Sequence, residues 1–521
     1  MKLSPTFLTV GFTFVALFCG RDLSANVTLP PVLDSHMVLQ RESAVPIWGQ
    51  ADPGEQVTVT FRDQKKSTTT GPDGKWMIKL DPLPLGAPAE LVVAGNNTLT
   101  LTDVLVGEVW VGSGQSNIDS PIPMYEKNDP VLKEAAKQAH PTLRLFRSAR
   151  DFRWQPWDPK RSRGFSAHLF YFGVKLQEDL GVPVGLIEAA FAGSPSGPFI
   201  SAEAFKSDPE VQKEAAASNE KEPIDGRMKK YEAAHAKWRE AIATAKAAGA
   251  PTDKLKEPSK PVPFGQQQTG ERYEKYIRPV IPFAIRGVLW DQGEGGSTGG
   301  NSQPVVMGAL IRSWRKDWGQ GDFPWLYVKK PSGGGCALDP NNPVNHGADA
   351  FQPLPEKPPA SSYHSRLHHE GYSIAKNPNT FLVNTTDLAP GIHPANKSGY
   401  GTRSAVVALG AVYKKPIEYY GPVFESLKVE GDKLRITYTH VGKGLVVPEG
   451  QKLQGFLIAG EDKQFHWADA AIDGDTVVLS SVKVPSPVAA RYAWTWPLRW
   501  ANLFNKDGLP AFTFHAEAGK P

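Results

Sequence analysis

Ser116 stands between Gln115 and Asn117 at the end of the run VWVGSGQSN, residues 109–117. An apolar strand that delivers a serine into a glycine-rich turn is how α/β hydrolytic folds present a nucleophile. The run is not the G-x-S-x-G elbow, because Ile118 stands where the second glycine would be. Taken alone, such a turn is an ordinary loop, so chemistry requires partners. A base must take the serine's proton, and His393 in Gly391-Ile392-His393-Pro394 is the candidate. The alternative for His393 is a turn residue that caps the next helix. Acyl transfer also needs donors for the oxyanion that forms at the attacked carbonyl. The amide of Ser116 is one candidate. The amide of Gly193, in Ala192-Gly193-Ser194 after an apolar run, is the other. Ser113 is the fallback nucleophile if Ser116 faces inward.

Two further clusters invite a metal reading and do not sustain it. Asp291 and Glu294 lie beside glycines in WDQGEGG, residues 290–296. Metal sites need more ligands close by, and no His or Cys is near in sequence. These carboxylates read as hydrogen-bonding residues that line a site. His364, His368 and His369 fall close together without an H-E-x-x-H pattern. They read as a solvated or substrate-rim cluster. No metal and no organic cofactor is expected.

The elements that must position these residues can be read from the pattern. From 26 to about 102 the alternation is that of strands, with Asp52-Pro53-Gly54 and Gly71-Pro72-Asp73-Gly74 as turns. From 104 to about 415 strands and helices alternate. Strands are expected at 109–112, 184–191, 285–290 and 325–328, and helices at 170–180, 306–318 and 404–413. Such alternation implies an α/β fold with a mostly parallel sheet and helices on both faces. A serine after an early strand and a histidine near the end of that unit can meet above the sheet's carboxyl edge. Between about 201 and 262 the composition turns to Ala, Lys and Glu, which reads as a helical insertion with 228–248 its surest helix. Residues 332–359 read as a long loop, and from about 416 to 521 the strand pattern returns. The expected organisation is therefore 1–25 leader, 26–103 β-sandwich, 104–415 α/β unit with its insertion, and 416–521 second β unit.

Bulk properties bound the partners. A net charge of +4 on 521 residues, with no Lys/Arg-rich block, makes no case for nucleic acid. With 49 Gly and 46 Pro the chain has many turns. Lys2, the apolar stretch 7–20 and Leu23-Ser24-Ala25 form an export-signal pattern. No other stretch is apolar enough to span a membrane. Cleavage after Ala25 would remove Cys19 and leave Cys336 as the one cysteine, with no internal disulfide. The expected location is periplasmic or extracellular. The sequence indicates no protein partner.

Several ordered motifs make the chain resemble the sialate O-acetylesterases, in the carbohydrate acetylesterase branch of the SGNH hydrolases. The motifs are GQSN, then Phe165-Ser166-Ala167 with LGVPVGLI at 180–187, then PFAIRGVLW at 282–290 followed by Gln292-Gly293-Glu294, then His393-Pro394 with Asn396-Lys397. Leu39-Gln40-Arg41 near the start, and Ala459-Gly460-Glu461-Asp462 and Tyr492-Ala493-Trp494 near the end, extend the match. The resemblance implies an SGNH-type three-layer sandwich, mostly parallel, flanked by N- and C-terminal β domains. It implies Ser116 as nucleophile, His393 as general base and Gly193 as oxyanion donor. Gln115, Asn117, Gln292 and Glu294 would touch an acetylated carbohydrate.

Two departures from the family pattern bear on function. The family continues its third block as Gly-Glu-Ser-Asn, and that asparagine is a third oxyanion donor; here Gly295 and Gly296 stand instead. Losing one such donor costs roughly 100- to 1000-fold in rate. The family also places an aspartate just before Ile-His-Pro, where this chain has Gly391. The group orienting His393 must then come from elsewhere, with Asp387 the candidate, or be a backbone carbonyl in a Ser–His dyad. Asp291, where many relatives carry an aromatic residue, is a smaller difference. Two functions follow. One is an exported serine esterase acting on O-acetylated sialic acid or another acetylated glycan. The other is a catalytically degenerate carbohydrate-binding protein. A His393 ring that faces Ser116 favours the first, and a ring turned into packing favours the second.

Overall fold

The computed structural model describes residues 26–294, 296–360 and 363–519. The expected leader 1–25, with Cys19, and Gly295 lie outside these residues. At the centre is an eleven-stranded sheet. Its main path runs Thr380–Val383, Trp325–Val328, Gly287–Asp291, Thr98–Gly114, Val184–Ala190, Leu143–Arg147 and Trp154–Pro156. All neighbours along this path pair parallel except the last two. The inner strands Val184–Ala190 and Gly287–Asp291 are buried at every position. That burial is the reason they read as unbroken apolar runs and not as alternating ones.

Thr98–Gly114 is one continuous strand of 17 residues. Its first half pairs antiparallel with Ala89–Ala94, and its second half parallel with Val184–Ala190 and Gly287–Asp291. The sequence boundary drawn at 103/104 falls inside this strand. One ladder therefore carries the amino-terminal strands and the site.

Helices cover the sheet where caps start and stop them. Ser166 caps Ala167–Leu180 by accepting from the Leu169 amide at 3.1 Å, and Gly181 ends the helix at φ +65°. Gln303–Trp318 ends on Gly319 in the same way. The closing helix is Lys397–Val407, followed by a wider turn, and it starts seven residues before the expected 404. The cause is Asn396, whose side chain accepts from the Gly399 amide at 2.6 Å and caps the helix there. Lys397 thus falls in the first turn. Ile224–Ala247 buries none of its 24 residues, as a solvated helix would. Residues 423–517 form two four-stranded antiparallel sheets over a core of their own that includes Leu434, Ile436, Phe456 and Ile458. Among the described residues no helix is long and apolar enough to cross a membrane.

The helix Tyr363–Ala375 corrects the reading of the histidine cluster. His368 is wholly buried, not solvated. Its Nε2 lies 2.9 Å from the Thr495 carbonyl, and Lys329 Nζ lies 2.6 Å from its Nδ1. The ring joins the end of the strand Trp325–Val328 to the carboxyl-terminal strands. Burial pulls the Lys329 ammonium from the ordinary 10.5 down to about 7. Between about pH 7 and pH 10 the unfolded chain holds a proton there that the folded chain has released, so stability rises with pH across that window. Lys329→Met should flatten that rise and raise the urea midpoint at pH 7, since Thr513 Oγ1, 3.2 Å away, can still serve His368 Nδ1. Urea titrations at pH 7, 8.5 and 10 measure this; an unchanged slope in the variant overturns it.

Candidate active site

Three strands end at one level. Gly114 pairs with Ala190 on one side and with Asp291 on the other. The chain leaves the sheet at Gly114, with φ +124°, where a Cβ would lie 2.5 Å from the Asp291 carbonyl oxygen. The Gln115 amide then bonds that oxygen at 3.2 Å. The short helix Ser116–Asp119 begins at once, with Ser116 in its first position. Ser113, the fallback nucleophile, is buried and donates to the Ala189 carbonyl at 2.7 Å, so its hydroxyl is occupied.

Ser116 Oγ and His393 Nε2 are 2.7 Å apart across 277 residues of sequence. With Nε2 as acceptor the serine hydroxyl donates, the arrangement that general-base activation requires. The His393 ring is exposed and not turned into packing. Among the described residues its one hydrogen bond is to Ser116.

Asp387 does not supply the orienting group. Its carboxylate is buried and accepts from Arg403 at 2.8 Å and from Asn345 at 2.6 Å. Both bonds fall on Oδ2, and the carboxylate makes none to His393. Burial still pushes its pKa up, against the pull of Arg403.

The amides of Ser116 and Gly193 have no acceptor among the described residues. Gly193 adopts φ +72°. Two ties fix the chain entering this turn: the Phe191 amide bonds the Gly114 carbonyl at 3.1 Å, and the Ala192 amide bonds Asp119 Oδ2 at 2.9 Å. Asp119 in turn pairs with Arg150. Sequence reading missed Asp119; its place three residues after Ser116 was the available signal.

The four residues expected to line the substrate divide. Asn117 is buried, receives a hydrogen bond from Lys397 Nζ at 2.7 Å and donates to the Ile392 carbonyl at 3.1 Å. Gln292 is also buried; it donates to the Gly296 carbonyl at 2.8 Å and accepts from Gln303 at 2.8 Å. Both brace loops with every polar end engaged. Gln115 donates to Glu294 Oε2 at 3.0 Å, and Glu294 Oε1 faces Lys330 Nζ at 2.6 Å. Glu294 keeps 21% of its side chain exposed. Asp291 does not line the site. It is buried, 2.6 Å from Lys330 and 3.3 Å from His168 Nδ1. Burial alone would raise its pKa, but Lys330 and then His168 hold it well below the carboxylate range. Among the described residues no cluster of His, Cys, Asp and Glu could hold a metal ion.

The chain is 25% identical to the sialate O-acetylesterase of Rattus norvegicus over 541 residues, 93% of each chain. It is 25% identical to that of Homo sapiens over 551 residues, 96% of this chain and 94% of the other. A solved carbohydrate acetylesterase from Xanthomonas citri superposes with a TM-score of 0.71 at 27% identity, covering 94% of this chain and 100% of that one. No family model matches the chain. Fold and relatives together define the class: a carboxylic ester hydrolase. The chain is a homologue of the sialate O-acetylesterases over nearly its whole length.

The Asp119 tie makes the Gly193 turn testable. Asp119→Ala should lower kcat on an aryl acetate on the order of 10- to 100-fold, less than removal of a whole oxyanion donor. KM should change little, because the oxyanion exists only after attack. Steady-state kinetics decide, and a native kcat would show that the turn holds without Asp119.

Proposed function

We propose that the protein is a serine esterase that removes O-acetyl groups from a carbohydrate, sialic acid or another acetylated glycan, through an acetyl-serine intermediate. The observation that supports this most is the 2.7 Å approach of Ser116 Oγ to His393 Nε2. His393 takes the Ser116 proton as Oγ attacks the acetyl carbonyl carbon. The Ser116 and Gly193 amides donate to the oxygen that becomes negative. The intermediate collapses, the sugar oxygen leaves with the proton held by His393, and the acetyl group stays on Ser116. Water, deprotonated by His393, attacks that ester, and acetate departs as the proton returns to Ser116.

The strand-end serine, the turn at Gly193 and the histidine before the closing helix support an SGNH-type arrangement of the site. Glu294 keeps part of its side chain open to substrate, and Gln115, itself buried, holds it through a 3.0 Å hydrogen bond. Neither the family's third oxyanion donor nor its orienting aspartate has a counterpart at the matching positions, Gly296 and Gly391. The reading includes turnover slower than a complete triad would give. Export to the periplasm or beyond rests on the amino-terminal sequence alone.

Acetate release from an O-acetylated sialic acid and from an aryl acetate tests the proposal. Native protein should release acetate, and Ser116→Ala should lose at least about 1000-fold, as removal of a triad nucleophile does. A Ser116→Ala variant with native rates would sink the mechanism. Release from the aryl acetate but not from the sialic acid would move the substrate to a different glycan.

A further inference from the structure

His393 must present one ring nitrogen to Ser116 without a carboxylate behind it. The backbone around the ring is held in an unusual way. Gly391 turns at φ +114°, Ile392 is 67% exposed, and His393 follows with its ring in solvent. Nothing in the apolar core grips this segment at Ile392. Its carbonyl is gripped by Asn117 Nδ2 at 3.1 Å, from the residue next to the nucleophile. Asn117 Oδ1 is itself gripped by Lys397 Nζ at 2.7 Å.

Lys397 is an improbable residue for plain packing. Its side chain is wholly buried, and among the described residues no carboxylate lies within ion-pair distance. Its other close neighbours are the rings of Tyr125 and Tyr400, with centroids 4.8 Å and 5.5 Å from Nζ. Asp291, Glu294 and Asp129 act on it only at longer range, with Lys330 opposing them. Burying an ammonium in this way is unfavourable unless polar partners compensate it. Cation–π contacts with the two rings offset part of that. Among the described residues the Asn117 amide is its one hydrogen-bond acceptor. A cation on Oδ1 fixes which end of the amide is oxygen, so Nδ2 must face the Ile392 carbonyl. It also polarises the amide and strengthens that donor.

We propose that Lys397 is a positioning residue for His393, acting through Asn117 on the Ile392 carbonyl and so replacing the orienting role of a triad carboxylate. The inference rests on Ser116 and His393 as the reacting pair. The ammonium stays protonated through neutral pH, because burial lowers it only to about 8.

The test uses full-length protein carrying Lys397→Met, Lys397→Arg, Asn117→Leu and the Lys397→Met/Asn117→Leu pair. On an aryl acetate, Lys397→Met should lower kcat on the order of 10- to 100-fold with KM within about twofold, the mark of a misplaced base. Lys397→Arg should recover part of the loss. The double variant should be no slower than the slower single one, since both act through one carbonyl. Asn117→Leu keeps the question open to test if Lys397→Met fails to fold.

A kcat kept within about threefold in Lys397→Met, or single losses that multiply in the double variant, would overturn the proposal. A readout free of turnover runs beside these. The His393 ring NMR signal, identified by its loss in His393→Gln, is followed in a Ser116→Ala background. Lys397→Met should shift or broaden it, and an unchanged signal overturns the positioning role. If Ser116→Ala retains native hydrolysis, the esterase mechanism fails, and the NMR comparison still decides what Lys397 does.

Discussion

The level at which three parallel strands end is the constraint on which the site depends. Gly114 sits between Ala190 and Asp291 in register, and no side chain fits where its Cβ would be. The chain must therefore leave the sheet there with its backbone against that of Asp291, and the next residues form one turn of helix. That turn sends out three ties. Ser116 meets His393, Asn117 holds the loop that carries His393, and Asp119 holds the loop that carries Gly193. A shift of one residue in the strand register would move all three together. Precision at the site is thus inherited from a backbone ladder, which is stiffer than any loop.

Beneath the turn lies a chain of buried charge. Asp291 and Lys330 pair at 2.6 Å, Lys330 reaches Glu294, and Glu294 reaches Gln115 beside Ser116. Lys330 is held above its usual range although burial opposes it, because Asp291 and Glu294 face it. His168, buried and 3.3 Å from Asp291, has its pKa pushed down by burial against the pull of Asp291. Such pairs add little net stability over apolar packing, yet removing one partner strands the other. Their consequence here is positional. Gln115 is pulled toward Glu294, and the strand end at Asp291 is locked to the strand end at Lys330.

How much of this was legible in the sequence follows from what each residue type reveals. Ser116 and His393 sit in recognisable motif settings, and the structure puts them within hydrogen-bond reach. The strand 325–328 was read with its observed ends, because a short apolar run between glycine and proline signals has few alternatives. Asp387 was misread, because nearness in sequence to His393 says nothing of direction; Arg403 and Asn345 hold its carboxylate. Asn117 and Gln292 were read as lining the substrate, because a polar residue in a site motif looks the same whether it touches ligand or braces a loop. His368 was read as solvated, since its buried partners Thr495 and Thr513 lie well over a hundred residues away. Long-range polar partners are what a single sequence withholds.

Among the described residues no carboxylate bonds the His393 ring, which separates two tasks usually joined in one residue. A triad acid fixes the ring's orientation and also steadies the imidazolium that forms during attack. Here the first task falls to the backbone, through Gly391, the Ile392 carbonyl and Asn117. The second has no counter-charge at the ring. The exposed His393 leaves it to water, whose dielectric weakens any electrostatic help. On the proposed mechanism orientation is kept while charge stabilisation is given up, and slow turnover by a well-placed base would follow from that division.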